Sequence, residues 1–282
     1  MRSLSRSQLL LIIGTLLLTS LIYFAPREGT DSAKANTLQA KTMGFNFDEL
    51  VIKAKQQLTS EAQNSILNFE TIGEKKPSRL IEVEDSIATI FDRANIPVAA
   101  AIYWEKIAMK ESTEKHWLNA AYRYFDGFKS ATDSIGMPAM VDKAIFCYSK
   151  VLELNPKNLD AKTDLGVCYA EGTNNPMKGI GLLREVVSIN PRHETAQMNL
   201  GFLAVKSGQL DKAIARFDTV LMINPKNIEI YSYIGDVYLK KGDKEHAISN
   251  FIKYKSFLTD TIRINQVNAY IKQIKDSKEQ IN

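Results

Sequence analysis

The residues of this chain best able to hold a metal or attack a substrate are three histidines and two cysteines. Their spacing joins none of them into a reactive group. His116, His193 and His246 each stand alone, with no Cys, Asp or Glu partner at a ligand spacing such as His-x3-His. There is no Gly-rich phosphate loop and no Gly-x-Ser-x-Gly elbow, so neither nucleotide chemistry nor serine hydrolysis is expected. A formal charge of +4 over 282 residues is too mild for nucleic acid, and no basic stripe interleaves with aromatics. The acidic residues are scattered as solvated charge. These observations predict no catalytic residue, no cofactor, no metal and no small-molecule substrate.

What the sequence does repeat is a turn. "VLELNPKN" (151–158), "VVSINPRH" (186–193) and "VLMINPKN" (220–227) share an apolar run, Asn-Pro and a basic residue. Pro156 and Pro191 are 35 residues apart, and Pro191 and Pro225 are 34 apart. A period of this length is the mark of a repeat array. Proline lacks the backbone donor, clashes with the preceding turn and pushes the residue before it out of helical geometry. Each Asn-Pro therefore ends a helix.

The copy over 194–227, "ETAQMNLGFLAVKSGQLDKAIARFDTVLMINPKN", sets Leu200-Gly201 before Ala213, Phe217 and Pro225. This resembles the tetratricopeptide repeat, TPR, whose pattern is Trp, Leu-Gly and Tyr on a first helix, Ala and Phe on a second, then Pro. Gln197 and Ala204 stand at the Trp and Tyr places of this copy, and other copies supply what it lacks. Unit 228–261 has Tyr231, Ile234, Gly235, Tyr238, Ala247 and Phe251, with Thr259 in place of proline. Unit 159–193 has Leu165, Gly166, Tyr169, Gly179, Leu183 and Pro191. Unit 114–158 has Trp117, Ala120, Ala121, Tyr124, Ala144, Tyr148 and Pro156, and accommodates an insert. A degenerate unit, 81–113, keeps Ile87, Ala88, Phe91, Ala100 and Trp104.

The fold expected over 81–261 is an all-α solenoid of antiparallel helix pairs. Small Gly or Ala residues let the two helices of a unit approach, and each unit leaves an apolar face bare until its neighbour covers it. Cys147 and Cys168 fall on helices that neighbour one another in a TPR stack, open to two readings: a disulfide in an oxidising compartment, or two buried thiols.

In TPR proteins the first helices of successive units line a concave groove that receives segments of partner proteins. Carried over by position, the resemblance implies a groove of Leu118, Tyr122 and Phe125, then Thr163 and Val167, then Met198, Phe202 and Val205, then Ser232, Asp236 and Leu239. Most are apolar, so exposed together they would mark a protein-binding site; the alternative is that the N-terminal helix or neighbouring repeats cover many of them. TPR domains that clamp acidic chaperone tails need Lys and Asn at these places, so that activity is not expected here. The insert 126–140 reads as a loop between the helices of its unit, with Phe128, Ile135 and Met137 as its contact residues if it binds, or as a harmless extension.

Ahead of the array, Leu9 to Ala25 reads "LLLIIGTLLLTSLIYFA", without a charge. With Ser7 and Gln8 it reaches the length that crosses about 30 Å of hydrocarbon. A membrane anchor over 1–25, with contact through residues 8–25, is one reading. A cleaved signal, with Ala33-Lys34-Ala35 as the small-residue site, is the other. The flanking basic residues do not settle orientation by count. The short basic head joined to a large soluble remainder looks like an export signal, which predicts a single-pass protein of a bacterial inner membrane with an extracytoplasmic array. Residues 26–42 read as a flexible tether. Within 43–80, a helix is expected from Asn46, with Glu49 in capping-box spacing, running to a break between Thr71 and Pro77. Residues 262–282 read as a capping helix with Ile264, Val267, Ile271 and Ile274 on one face.

The function expected is therefore a membrane-anchored scaffold or adaptor for protein partners in envelope assembly, secretion or folding. A regulatory subunit that docks and activates a separate envelope hydrolase or protease is the alternative. Catalysis by this chain would need a convergent polar pocket that these residues do not build. A mitochondrial import receptor would also combine an anchor with TPRs.

Overall fold

The stretches between the repeated turns fold as helix pairs. The structure, a computed structural model, describes residues 45–130 and 136–277. In chain order its helices are α1 (Phe47–Gln56), α2 (Ser60–Lys75), α3 (Leu80–Arg93), α4 (Pro97–Lys110), α5 (Glu114–Ser130), α6 (Gly136–Leu154), α7 (Leu159–Gly172), α8 (Pro176–Ile189), α9 (Glu194–Lys206), α10 (Leu210–Ile223), α11 (Glu229–Lys240), α12 (Lys244–Ser256) and α13 (Thr261–Asp276), with a 3-10 turn at Pro77–Arg79. No strand occurs among the described residues. From α3 onward each helix packs most heavily on its sequence neighbour, and first helices of consecutive pairs also touch, α5 with α7 and α7 with α9. The all-α array expected over 81–261 is therefore present.

The repeated turn does more than stop a helix. In each copy its first Asn accepts, through Oδ1, the backbone N–H two residues on: Asn155 from Lys157, Asn190 from Arg192, Asn224 from Lys226. The side-chain amides of Asn155 and Asn158 donate to the carboxylate of Glu114, the first residue of the same pair. Asn224 and Asn227 do the same to Glu194. A glutamate at the start of one helix thus ties down the turn at the end of its partner. The middle copy has His193 instead of Asn, and its Nε2 lies 3.1 Å from Asp160 Oδ1. His193 Nδ1 accepts the Ala196 N–H, capping α9, and leaves Nε2 as the ring nitrogen that faces Asp160.

Three of the turns within pairs are built on left-handed residues. Gly208 and Gly242 have φ of +73° and +78°, and Asn95 has φ of 56°. In each, the next N–H returns to a carbonyl in the last helical turn: Gln209 to Ala204, Asp243 to Tyr238, Ile96 to Phe91.

Small residues set the helix spacing within pairs. A Cβ added at Gly201 would lie 2.6 Å from Phe217 Cε1, and one at Gly235 would lie 2.8 Å from Phe251 Cζ. In the α7–α8 pair the contact is backbone to backbone, Gly179 against the Gly166 carbonyl. The cores then form at the seams between pairs. Leu183 and Val186 of α8 meet Ala196 and Leu200 of α9. Ala213, Phe217 and Val220 of α10 meet Ile230, Ile234 and Val237 of α11. Ala247 and Phe251 of α12 meet Ile271 and Ile274 of α13. The N-terminal half instead shares one continuous core from Ala54 to Cys168. Its buried charges are paired: Glu105, 5% exposed, accepts from Tyr124 Oη and Lys143 Nζ, both at 2.6 Å. Arg123 grips both carboxylate oxygens of Asp92 at 2.6 Å.

Two local expectations fail. The helix beginning after Asn46, whose Oδ1 does cap the Asp48 and Glu49 N–H groups, ends at Gln56 rather than running on. Thr59 caps a second helix through Ala62 N, and the bend lets both Leu58 and Ile66 enter the core. The expected break between Thr71 and Pro77 is present, since the second helix ends at Lys75; Gly73 lies inside that helix, where its missing side chain admits Leu80 and Val83. The insert 126–140 is no long loop, because it lengthens α5 to 17 residues and α6 to 19. Phe128 is 6% exposed, and Met137 packs partly buried on the same core, so neither is a free loop contact. Ile135 lies outside the described residues, as do the expected anchor at 8–25 and tether at 26–42. Among the described residues no helix is long and apolar enough to cross a membrane.

Gly201→Ala should destabilise the chain by about 1–3 kcal/mol through overpacking against Phe217. Denaturant unfolding of Gly201→Ala alone and combined with Phe217→Leu checks this. The double variant should recover part of the loss, whereas additive losses would mean that the Gly–Phe contact does not set the spacing.

Candidate protein-binding groove

The first helices of the pairs bring the carried-over residues to unequal positions. Tyr122 is 39% exposed, with its ring edge-on to Tyr148 at 6.0 Å. Leu118 and Phe125 are half-buried against the core, Phe125 edge-on to Tyr148 and Phe128. Val167 is 3% exposed and Thr163 is buried, its hydroxyl donating to the Leu159 carbonyl. The α7 positions are thus closed by neighbouring helices, and Val167 is a core residue rather than an available contact. Met198, Phe202, Val205, Ser232 and Leu239 are half-buried, and Asp236 is exposed.

Four of these residues converge. Phe202 and Val205 of α9, with Asp236 and Leu239 of α11, line a cavity of about 370 Å³. Tyr233 of α11 and Tyr270 of α13 complete its walls. Phe202 sits at the centre of an aromatic group, edge-on to Phe217 at 5.2 Å and to Tyr233 at 5.0 Å. The same Phe202 lines a second cavity of about 380 Å³, where Phe128, Met137 and the Lys129–Glu171 ion pair face Leu203 and Lys206. The lengthened α5–α6 pair therefore bounds one end of the groove, and Phe128 and Met137 contribute to it as wall.

Sequence reasoning missed Tyr233, Tyr270 and Asp164. Tyr233 precedes the Ile234-Gly235 signature and was readable as an aromatic beside the packing stripe. Tyr270 sits at the edge of the apolar stripe of α13, three residues after Val267 and four before Ile274, a signal that this helix does more than cap.

Electrostatically the Tyr122 region is acidic. Burial pushes the Asp164 carboxyl up to about 6, the Tyr148 hydroxyl bond opposing and Asp160 and Asp126 reinforcing. Burial likewise raises the Tyr122 phenol, helped by Asp164, Asp160 and Glu114. Partial burial raises Asp126 and Asp236 as well. Cys147 and Cys168 are free and buried, and burial drives both thiols up, away from the reactive thiolate. His246 pairs with Asp243 at 2.7 Å in its helix cap, and His116 Nδ1 lies 3.0 Å from the Glu111 carbonyl. No group of three metal-ligating side chains gathers among the described residues.

Residues 203–242 match the family model described as TPR repeat. No curated protein matches the chain. Among solved structures, the chain is similar to a tetratricopeptide repeat protein from Parabacteroides merdae, with TM-score 0.57 and 17% identity over 81% of this chain and 86% of that one. A MamA fragment from Desulfovibrio magneticus RS-1 is similar at TM-score 0.50 and 18% identity, over 70% and 98% of the two chains. The thermophilic TPR protein TTC0263 of Thermus thermophilus is similar at TM-score 0.50 and 15% identity, over 68% and 99%. These likenesses establish a TPR-type solenoid fold. TPR arrays in general serve as protein-interaction scaffolds.

Asp164 yields a prediction with a definite sign. Its folded-state pKa exceeds the ordinary 3.8, so the folded chain holds this proton more tightly between about pH 4 and 6. The contribution is favourable below that window and is lost as pH rises through it. Asp164→Asn, which keeps an acceptor for Tyr148, should stabilise the chain by about 1–3 kcal/mol at pH 7.5. Thermal unfolding at pH 5 and 7.5 checks this: the variant's gain should shrink at the lower pH, and an equal gain at both would refute the assignment.

Proposed function

We propose that this chain is a membrane-anchored scaffold whose helical array captures an extended or helical segment of a partner protein in the groove between its first helices. The observation that carries the reading is the open cavity between α9, α11 and α13, where Phe202, Val205, Tyr233 and Leu239 pack on the core and still stay partly exposed. A repeat array has every reason to bury such rings at its seams, as it does with Phe217 and Phe251. Rings left facing a cavity, together with exposed Tyr122, are the anchors expected of a binding surface. The apolar run at 9–25 supports the membrane part of the proposal, and the basic head before it supports a bacterial inner membrane with the array outside the cytoplasm.

Crosslinking in intact membranes, followed by mass spectrometry of captured partners, tests both parts. Tyr122→Ala and Phe202→Ala should each cost about 2 kcal/mol of partner affinity, and the double variant should lose the partner. Far-UV circular dichroism and the unfolding midpoint identify any variant that fails through misfolding. A folded double variant that retains every partner would remove the groove.

A further inference from the structure

The cavity between α9, α11 and α13 carries a chemical bias that an apolar groove alone would lack. Three polar groups on its walls have no protein partner: the Asp236 carboxylate and the hydroxyls of Tyr233 and Tyr270 make no hydrogen bond or ion pair among the described residues. Lys240, one turn along α11, also lines the cavity; its charge acts on Asp236 and partly offsets the effect of burial, without closing to an ion pair. Around the carboxylate stand electron-rich rings. Tyr233 lies 5.0 Å from Phe202, and Tyr270 is held edge-on to Phe251 at 5.1 Å, which fixes it as a wall.

Each kind of occupant can be weighed against these groups. A purely apolar side chain would strip water from Asp236 and offer nothing in return, a cost that buried polar groups incur when left unpaired. An acidic side chain would meet a carboxylate and the negative faces of aromatic rings, with Lys240 alone in its favour. A cationic side chain with an aliphatic stem satisfies both features, because its stem packs on Val205 and Leu239 while its head takes the carboxylate and the rings. Partial burial already holds the Asp236 carboxyl above the usual aspartate range, a penalty that an incoming cation would relieve.

We propose that this cavity binds an arginine or lysine side chain presented by the partner segment, its stem against Val205, Leu239 and Phe202 and its cationic head between Tyr233, Tyr270 and Asp236. The proposal rests on the groove reading above and narrows it to a partner whose captured segment joins a basic residue to apolar neighbours. It also gives α13 a second role, since Tyr270 comes from the helix that covers the last seam. The acidic surroundings of Tyr122, with Asp160 and Asp164, have the same sign farther along the groove.

A short random peptide library, displayed on phage and selected on the full-length chain in detergent micelles, tests this with wild type and Asp236→Asn in parallel. Wild type should enrich Arg or Lys at one position beside apolar residues. In fluorescence anisotropy, replacing that Arg by citrulline, which keeps its shape and removes its charge, should weaken binding about tenfold. Asp236→Asn should bring the Arg peptide down to the citrulline level without moving the unfolding midpoint, and Tyr270→Leu should narrow the difference. Selected peptides that depend on Phe202 but show no preference for Arg over citrulline would overturn the proposal and leave the groove reading standing. The same would follow from an Arg preference that Asp236→Asn leaves intact. A selection that yields no Phe202-dependent peptide would overturn both.

Discussion

The close approach of two helices at a residue without a side chain is the constraint on which the array depends. Gly201 receives the ring of Phe217, Gly235 receives Phe251, and Gly166 and Gly179 let backbones meet directly. Once the pairs are that tight, neither helix can hide its remaining apolar residues within the pair. They must be covered by the next pair, which is why the clusters around Leu183, Phe217 and Phe251 join successive pairs instead of filling a central interior. In the α5–α6 and α9–α10 pairs the Asn-Pro turn and its glutamate clamp then fix where the pair ends, so spacing and closure come from different residues.

Much of this was legible because the signals were local and repeated. Proline and glycine act on the backbone beside them, so Pro156, Pro191 and Pro225 marked helix ends without any knowledge of packing. The failures share a different cause. Nothing near Gly73 announces its contact with Leu80 and Val83, because those partners lie on the next helix. The insert reads as polar and irregular from "KSATDS", yet Phe128, Met140 and Val141 continue an apolar face on either side of it. A sequence with both features is decided by tertiary burial, which outweighs composition.

The candidate site was half visible for a related reason. Position within the repeat located Phe202, Val205, Asp236 and Leu239, since every first helix presents equivalent positions to one surface. Position could not show that Val167 is closed over while Phe202 stays open, because that depends on how neighbouring side chains fill the space. Nor could it reach Tyr270, which belongs to no repeat. The Glu114 and Glu194 clamps were also beyond reach, since each joins residues 30 or more apart in sequence.

The last helix, α13, closes the apolar seam against α12 and supplies one wall of the cavity. The cluster that joins α13 to α12 is small, and helices held by few buried apolar contacts open more readily than the core. Anything seated against Tyr270 engages the docked form alone, so it holds α13 in place by mass action. Occupancy and fraying of α13 thereby become two faces of one equilibrium, because the exposed ring of Tyr270 and the seam residue Ile271 are consecutive on that helix.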